Sequence, residues 1–293
     1  MHVAVLSDTH GNLPALEAVL KDVRQFTPDG IIVAGDLVGG PHPNEMITLL
    51  RSLGSWMIQG NSDTGLLRFD AGETPESRYT HLQFALLRWS HRHVSRENMD
   101  FLRSLPEQMA LEIAGTAPIR IMHGSPRDPA EGLDPDLEPD AFEMALTQTS
   151  EPVLVCGHSH RPWKCARNGR LVLNPGAVCG PLNGYVGAQW ALLTWLGDRW
   201  QVEHRQVLYD IDLIRKAFCD SGLLEEGGAL ARAFLLSIEK GQDVALDFLS
   251  YAWRLTSEAG LNNPDAIPDV VWEYATGSFD WNAVTNEGSI YSS

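Results

Sequence analysis

Five short apolar runs in this chain break off in the same manner. Residues 3–6, 30–34, 55–58, 119–122 and 152–156 are of strand length, and each gives way within a few positions to a turn carrying Asp, Asn or His. Runs this short suit buried strands better than helices. Between the first three lie stretches with helical spacing: Leu16, Val19, Leu20 and Val23 after Pro14, then Met46, Ile47, Leu49 and Leu50 after Pro43. Proline near a first helical turn loses no hydrogen bond. Strand, helix, strand, twice over, implies parallel strands and an α/β fold. Ligands of open α/β sheets bind at the carboxyl ends of the strands, where these polar turns fall.

The turns carry a consistent chemistry. Asp8 and His10 follow the first run, Asp36 follows Gly35, Asn61 follows Gly60, His123 precedes Gly124, and His158 and His160 share Gly157-His158-Ser159-His160. Taken singly, each has an ordinary reading: Gly-Asp and Gly-Asn form turns and caps, and a histidine before glycine is a loop residue. Seven such groups at successive strand ends are a concentration that ordinary turns do not explain. Oxygen and nitrogen donors without a thiolate suit manganese, iron, cobalt, nickel or zinc, not an iron–sulfur cluster or a structural zinc. Seven ligands exceed what one ion needs. Two divalent ions sharing a carboxylate would use them all, and such a pair polarises a phosphoryl group and generates hydroxide.

Composition narrows the substrate. The formal net charge of −16 argues against a broad grip on nucleic acid, which draws on clustered Lys and Arg. Two divalent cations would supply the positive field that the surface lacks. The four cysteines, Cys156, Cys165, Cys179 and Cys219, lie far apart without CxxC spacing, so free thiols and a cytoplasmic location are expected. The first apolar run is broken by Ser7 and Asp8 and reads as a strand, not a signal peptide, and no run approaches a membrane span.

The blocks Asp8-Thr9-His10, Gly35-Asp36, Gly60-Asn61, His123-Gly124 and Gly157-His158-Ser159-His160, in this order, resemble the calcineurin-like metallophosphoesterase superfamily over residues 1–207. Asn12, the Gly-Pro-x-Pro-Asn-Glu run at 40–45 and Asn174-Pro175-Gly176 are similar to its small bacterial and archaeal branch of YfcE-type phosphodiesterases. The resemblance implies a four-layer αββα sandwich of two mixed sheets. It also implies that Asp8, His10 and His160 hold one metal, that Asn61, His123 and His158 hold a second, and that Asp36 bridges them. A metal-bridging hydroxide would then attack phosphorus in line. Many members carry histidine after the Gly-Asn, whereas this chain has Ser62. A serine hydroxyl is no general acid near neutral pH, so either Asp63, His42 or an insertion histidine protonates the leaving group, or the enzyme favours leaving groups that need little protonation. The expected activity is that of a phosphodiesterase acting on small phosphoesters, with manganese as the expected ion. A phosphomonoesterase, a nuclease and a non-catalytic metal-binding module are the alternatives.

The remaining chain frames this core. Residues 64–105 are expected to form an insertion of two helices beside the site, carrying His81, His91 and His93. Its arginines Arg88, Arg92, Arg96 and Arg103 read as a solvated face, although a basic stripe there would favour nucleic acid. Hairpins are expected at 163–173, around Asn168-Gly169, and at 189–207. The periodicity turns helical at 211–218, 229–238 and 244–255. A boundary near 209 therefore separates a domain of residues 1–209 from a helical extension of 210–293. Leu235, Leu246, Phe248, Leu249 and Trp253 read as core. The tail with Trp272, Tyr274, Phe279 and Trp281 should dock on its own chain or on a second subunit, so that these helices offer a route to a homo-oligomer.

Overall fold

The computed structural model describes residues 1–136, 139–261 and 265–283. Two five-stranded mixed sheets form its centre. In the first, β1 (His2–Leu6), β2 (Gly30–Val33) and β3 (Trp56–Met57) run parallel, and β9 (Ala188–Trp195) and β10 (Trp200–Val207) continue antiparallel from β1 in the order β10-β9-β1-β2-β3. In the second, β5 (Ile119–Met122), β6 (Val153–Val155) and β8 (Arg170–Pro175) are parallel, with β4 (Gln108–Leu111) and β7 (Pro162–Arg167) antiparallel at the edges.

Alternation along the strands dictates the layers, because successive side chains leave a strand on opposite faces. Val3 and Val5 of β1 face the other sheet and pack with Ile119, Ile121, Val153 and Val155. Ala4 and Leu6 face outward onto Leu16, Val19, Met46 and Ile47 of the helices Leu13–Val23 and Pro43–Ser52. On the far side, Met122, Leu154 and Val172 are covered by Phe142 of the helix Pro139–Gln148. The result is the four-layer αββα sandwich expected from the resemblance, with helices added at the carboxyl-terminal end. The expected tight turn is present, with Asn168 and Gly169 both at positive φ, 54° and 75°.

The segment after β3 departs from the expected polar loop. A helix, Asn61–Asp70, starts at the ligand candidate itself. Its polar first turn and Gly65 conceal the apolar periodicity, while Asp63 caps it by accepting from the Gly60 backbone N–H at 2.9 Å. The insertion therefore holds further helical turns besides the expected pair Ala85–His93 and Arg96–Ser104.

Residues beyond 209 fold into the helices Ile211–Asp220, Leu223–Glu226, Gly228–Lys240, Val244–Glu258 and Asp269–Ser278. They share a core with the insertion, since Trp89 packs with Ile214, Phe218 and Leu235. The aromatic tail docks on its own chain. Trp272 and Trp281 are buried, and each ring centroid lies 4.9 Å from that of Phe248. The expectation for 284–293 lies outside the described residues. No described helix is long and apolar enough to cross a membrane.

Candidate metal centre

The seven ligand candidates converge between the carboxyl ends of β1, β2, β3, β5 and β6. Asp36 Oδ2 is 3.3 Å from His10 Nε2 and 3.4 Å from His123 Nε2. Asp8 Oδ1 is 3.3 Å from His160 Nε2 and 3.7 Å from His123 Nε2. Asn61 Oδ1 lies 3.0 Å from His123 Nε2 and 2.9 Å from His158 Nδ1. Asp8, His10, Asp36 and His123 are buried.

Backbone conformation aims these groups. Asp8, His10, Asp36, His158 and His160 all have positive φ, from 38° to 66°, and they make up five of the seven non-glycine residues in that region among the described ones. The conformation costs an L-residue roughly 1–3 kcal/mol and persists only where the surroundings enforce it. Here the turns are tied together: Asp8 N donates to Gly35 O at 3.1 Å, His10 N to Asp36 O at 2.9 Å and Gly157 N to His123 O at 2.7 Å. Glycine precedes the ligands because the backbones approach too closely for a side chain. A Cβ on Gly60 would stand 2.1 Å from Asp36 Oδ1, and one on Gly35, itself at φ 89°, would stand 2.7 Å from the Gly60 nitrogen.

Three imidazoles are oriented from behind. Nδ1 donates to a backbone carbonyl in His10 (Val38 O, 2.8 Å), His123 (Ala34 O, 2.6 Å) and His160 (Gly180 O, 3.1 Å). That leaves each Nε2 facing the centre, the arrangement typical of metal-ligating histidine. Ser62 braces Asp36, with its N–H on Oδ1 at 2.8 Å and its hydroxyl on Oδ2 at 3.0 Å. Asn12 caps the helix Leu13–Val23 and also donates to Cys179 O at 2.7 Å, and Asn174 donates to Gly157 O at 2.6 Å. The accessory motifs therefore hold the ligand loops.

The electrostatics fit a cation. Burial opposes charge on Asp36, yet the flanking His123 and His10 outweigh it and hold the carboxyl below its ordinary range. Asp8 is lowered in the same way, against burial, by His160 and His123. Burial also opposes protonation of His123, but Asp36 and Asp8 push it up to about 9. In effect a proton occupies ground that suits a metal ion. Asp8 Oδ1 is buried without a hydrogen-bond partner, which is the open valence a cation would fill. Asp8, His10 and Asp36 also form a group whose ligand atoms lie within 4.8 Å of one another. The residues present fit a divalent ion.

Asp63 does not join this convergence. Fully buried, its carboxylate accepts from Leu37 N at 3.0 Å, Val38 N at 3.2 Å and Gly60 N at 2.9 Å. It is pushed up to about 7 by burial and by the neighbouring Asp36. Its position makes it a clamp between the Asp36 and Asn61 loops, not an exposed proton donor. Three other donor candidates are engaged elsewhere: His91 meets Asp70 at 2.8 Å, His93 stacks on Trp89 and His81 meets Thr80 at 3.1 Å. The His42 backbone N–H ties to Gly11 O at 3.1 Å, and its Nδ1 is buried without a hydrogen-bond partner.

Sequence reasoning missed Cys179, whose Sγ lies 3.8 Å from Nδ1 on the outer side of His160, with burial pushing its thiol up. It also missed a cavity of about 420 Å³ that opens from His10, Asn61 and Ser62 toward the added helices. Three of the four stripe arginines are ion-paired. Arg92 pairs with Glu226 at 2.6 Å, Arg96 and Arg103 pair with Asp70 and Asp100, and Arg88 donates to the carbonyls of Arg78 and His81.

Comparison with known proteins identifies the family. Residues 1–195 match the calcineurin-like phosphoesterase superfamily domain. An uncharacterized protein of Methanocaldococcus jannaschii is 31% identical over 227 residues, covering 71% of this chain and 88% of that protein. The crystal structure of a metallophosphoesterase from Sphaerobacter thermophilus superposes with a TM-score of 0.65 at 28% identity, covering 82% of this chain and 100% of the other. A hypothetical protein from Pyrococcus horikoshii shares the fold, with a TM-score of 0.68 at 23% identity over 82% of this chain and 98% of its own. Both structural likenesses span more of the chain than residues 1–195, so they reach into the helical addition. The chain belongs to the calcineurin-like phosphoesterase superfamily and is a metal-dependent phosphoesterase.

Proposed function

We propose that the protein hydrolyses small phosphodiesters with two divalent ions, manganese being the preferred pair. The carrying observation is the position of Asp36 Oδ2, between His10 at 3.3 Å and His123 at 3.4 Å. One carboxylate oxygen facing two imidazoles from different strands suits a shared ligand. On this reading Asp8, His10 and His160 hold one ion, while Asn61, His123 and His158 hold the other. When bound, the ions supply Lewis acidity toward the phosphoryl oxygens and lower the pKa of water.

The chain's own residues set the geometry. Outward Nδ1 bonds fix three imidazoles, Ser62 fixes both oxygens of Asp36, and Asp63 locks the loops that carry Asp36 and Asn61. Ser62 spends its hydroxyl on Asp36 and offers no proton near neutral pH. That favours diesters whose leaving group departs without much help. The net negative charge and the ion pairs of Arg92, Arg96 and Arg103 favour compact substrates over nucleic acid.

The test is turnover of bis-p-nitrophenyl phosphate and p-nitrophenyl phosphate by manganese-loaded protein, alongside metal analysis. Two ions per chain and a faster diester reaction are expected, and Asp36→Ala should lower turnover by more than about 100-fold, beyond the loss typical of an outer-shell partner. Ser62→His should shift the rate ratio toward the monoester. Undiminished turnover in Asp36→Ala, or one ion per chain in the active protein, would sink the two-ion reading. A faster monoester reaction would favour a phosphomonoesterase.

A further inference from the structure

The cavity beside the metal centre has no counterpart among the sequence motifs. Its volume is about 420 Å³, within the range of pockets that hold small organic ligands. One wall comes from the start of the helix Asn61–Asp70, the second from residues 78–90, and the third from the helices Gly228–Lys240 and Val244–Glu258. The rim is the metal site itself, through His10, Asn61 and Ser62, and the Phe234 ring centroid lies 6.1 Å from that of His10.

The lining is apolar and unfinished. Leu86, Leu87, Leu230, Phe234, Leu249 and Trp253 are all half-buried and surround the cavity without closing it. Leu87 packs on the sandwich core, Leu86 on the Trp89 cluster, and Leu230, Leu249 and Trp253 on the Phe248 cluster. Three cores therefore meet at a gap. Three polar side chains stand in the same wall, and Gln83 Oε1 already accepts from Ile267 N at 2.7 Å. Ser90, 3% exposed, has a buried Oγ with no hydrogen-bond partner, and Arg78 holds its guanidinium 4.2 Å over the Phe84 ring with Nε also unpartnered.

From this chamber, and resting on the phosphodiesterase reading above, we infer the class of substrate: a phosphodiester with one ester group carrying a flat aromatic or heteroaromatic ring. The phosphoryl group sits at the metal rim and the ring enters the chamber. Phe234, Phe84 and Trp253 in the lining offer a ring aromatic partners for edge-to-face and offset contact, with one face of Phe84 already taken by the Arg78 guanidinium. The helical addition thereby sets specificity, while the sandwich performs hydrolysis.

Calorimetric titration of manganese-loaded protein with phenylphosphonate and methylphosphonate tests this without turnover. The phenyl ligand should bind at least about tenfold more tightly, the scale of burying a few apolar carbons. Phe234→Ala and Trp253→Ala should each reduce that ratio to about threefold or less. Affinities within twofold of each other in the unsubstituted protein would overturn the inference, whether or not either variant folds. So would a ratio that persists in both variants. The two readings fail separately: ring selectivity without diester turnover refutes the phosphodiesterase, and turnover without ring selectivity refutes the chamber.

Discussion

The ligand cluster and the helical wall that faces it are built on opposite plans. In the cluster, each aimed imidazole or carboxylate is tied by hydrogen bonds to a neighbouring loop, and five of the seven candidates sit in a strained backbone region. In the wall, half-buried leucines and aromatics hold position through apolar contact alone. The difference matches the tasks. Geometry toward a cation must hold to fractions of an ångström, whereas a surface that receives an organic group needs only shape and apolarity.

The first way to break the comparison is to damage the wall from within. Phe248 is fully buried at the centre of the carboxyl-terminal aromatic cluster, between Trp272, Trp281 and Phe279. Phe248→Ala should destabilise this layer by about 3–5 kcal/mol. If the cluster is held by its own loops, metal content after reconstitution should be unchanged at temperatures where the variant is folded. Thermal unfolding followed together with bound metal checks this. Loss of metal in step with the helical layer would mean that the ligand loops lean on the wall.

A smaller effect should arise at Asp63, from within the cluster. Asp63→Ala leaves the Leu37, Val38 and Gly60 amides buried without their acceptor. Metal affinity should fall by about 10–100-fold, the range for partners one step behind the ligands. Titration of metal into the metal-free variant measures it. Wild-type affinity would show that the Asp36 and Asn61 loops hold themselves.

The same contrast explains what the sequence made legible. The cluster was readable because each ligand needs a special φ, a close backbone approach or a strand end, which forces glycine and short polar residues into recognisable blocks. Gly35 and Gly60 are conspicuous for that reason. The wall was not readable because its residues obey the same periodicity as core. Leu249 and Trp253 were expected to be core alongside Phe248, and only the meeting of three separate clusters leaves them facing a cavity. Leu246, from the same expected core, is 48% exposed. The helix Asn61–Asp70 escaped notice because a carboxylate cap, not apolar spacing, begins it. Asp63 drew attention as a candidate acid because a sequence does not show which way a carboxylate turns.

The smallest expected effect concerns how the insertion and the carboxyl-terminal helices adhere. Arg92 and Glu226 bridge them at 2.6 Å, but both side chains are about half exposed, so solvent screens the pair and ordering two long side chains offsets much of the attraction. Beneath it, Trp89 packs with Ile214, Phe218 and Leu235. Apolar contact should therefore dominate. Arg92→Ala should lower stability by no more than about 1 kcal/mol, and the difference should shrink further in high salt. Denaturant unfolding at low and high ionic strength decides the matter. A large, salt-insensitive loss would show that the ion pair, and not the apolar seam, fixes the wall against the cluster, and the chamber's shape would then depend on one exposed contact.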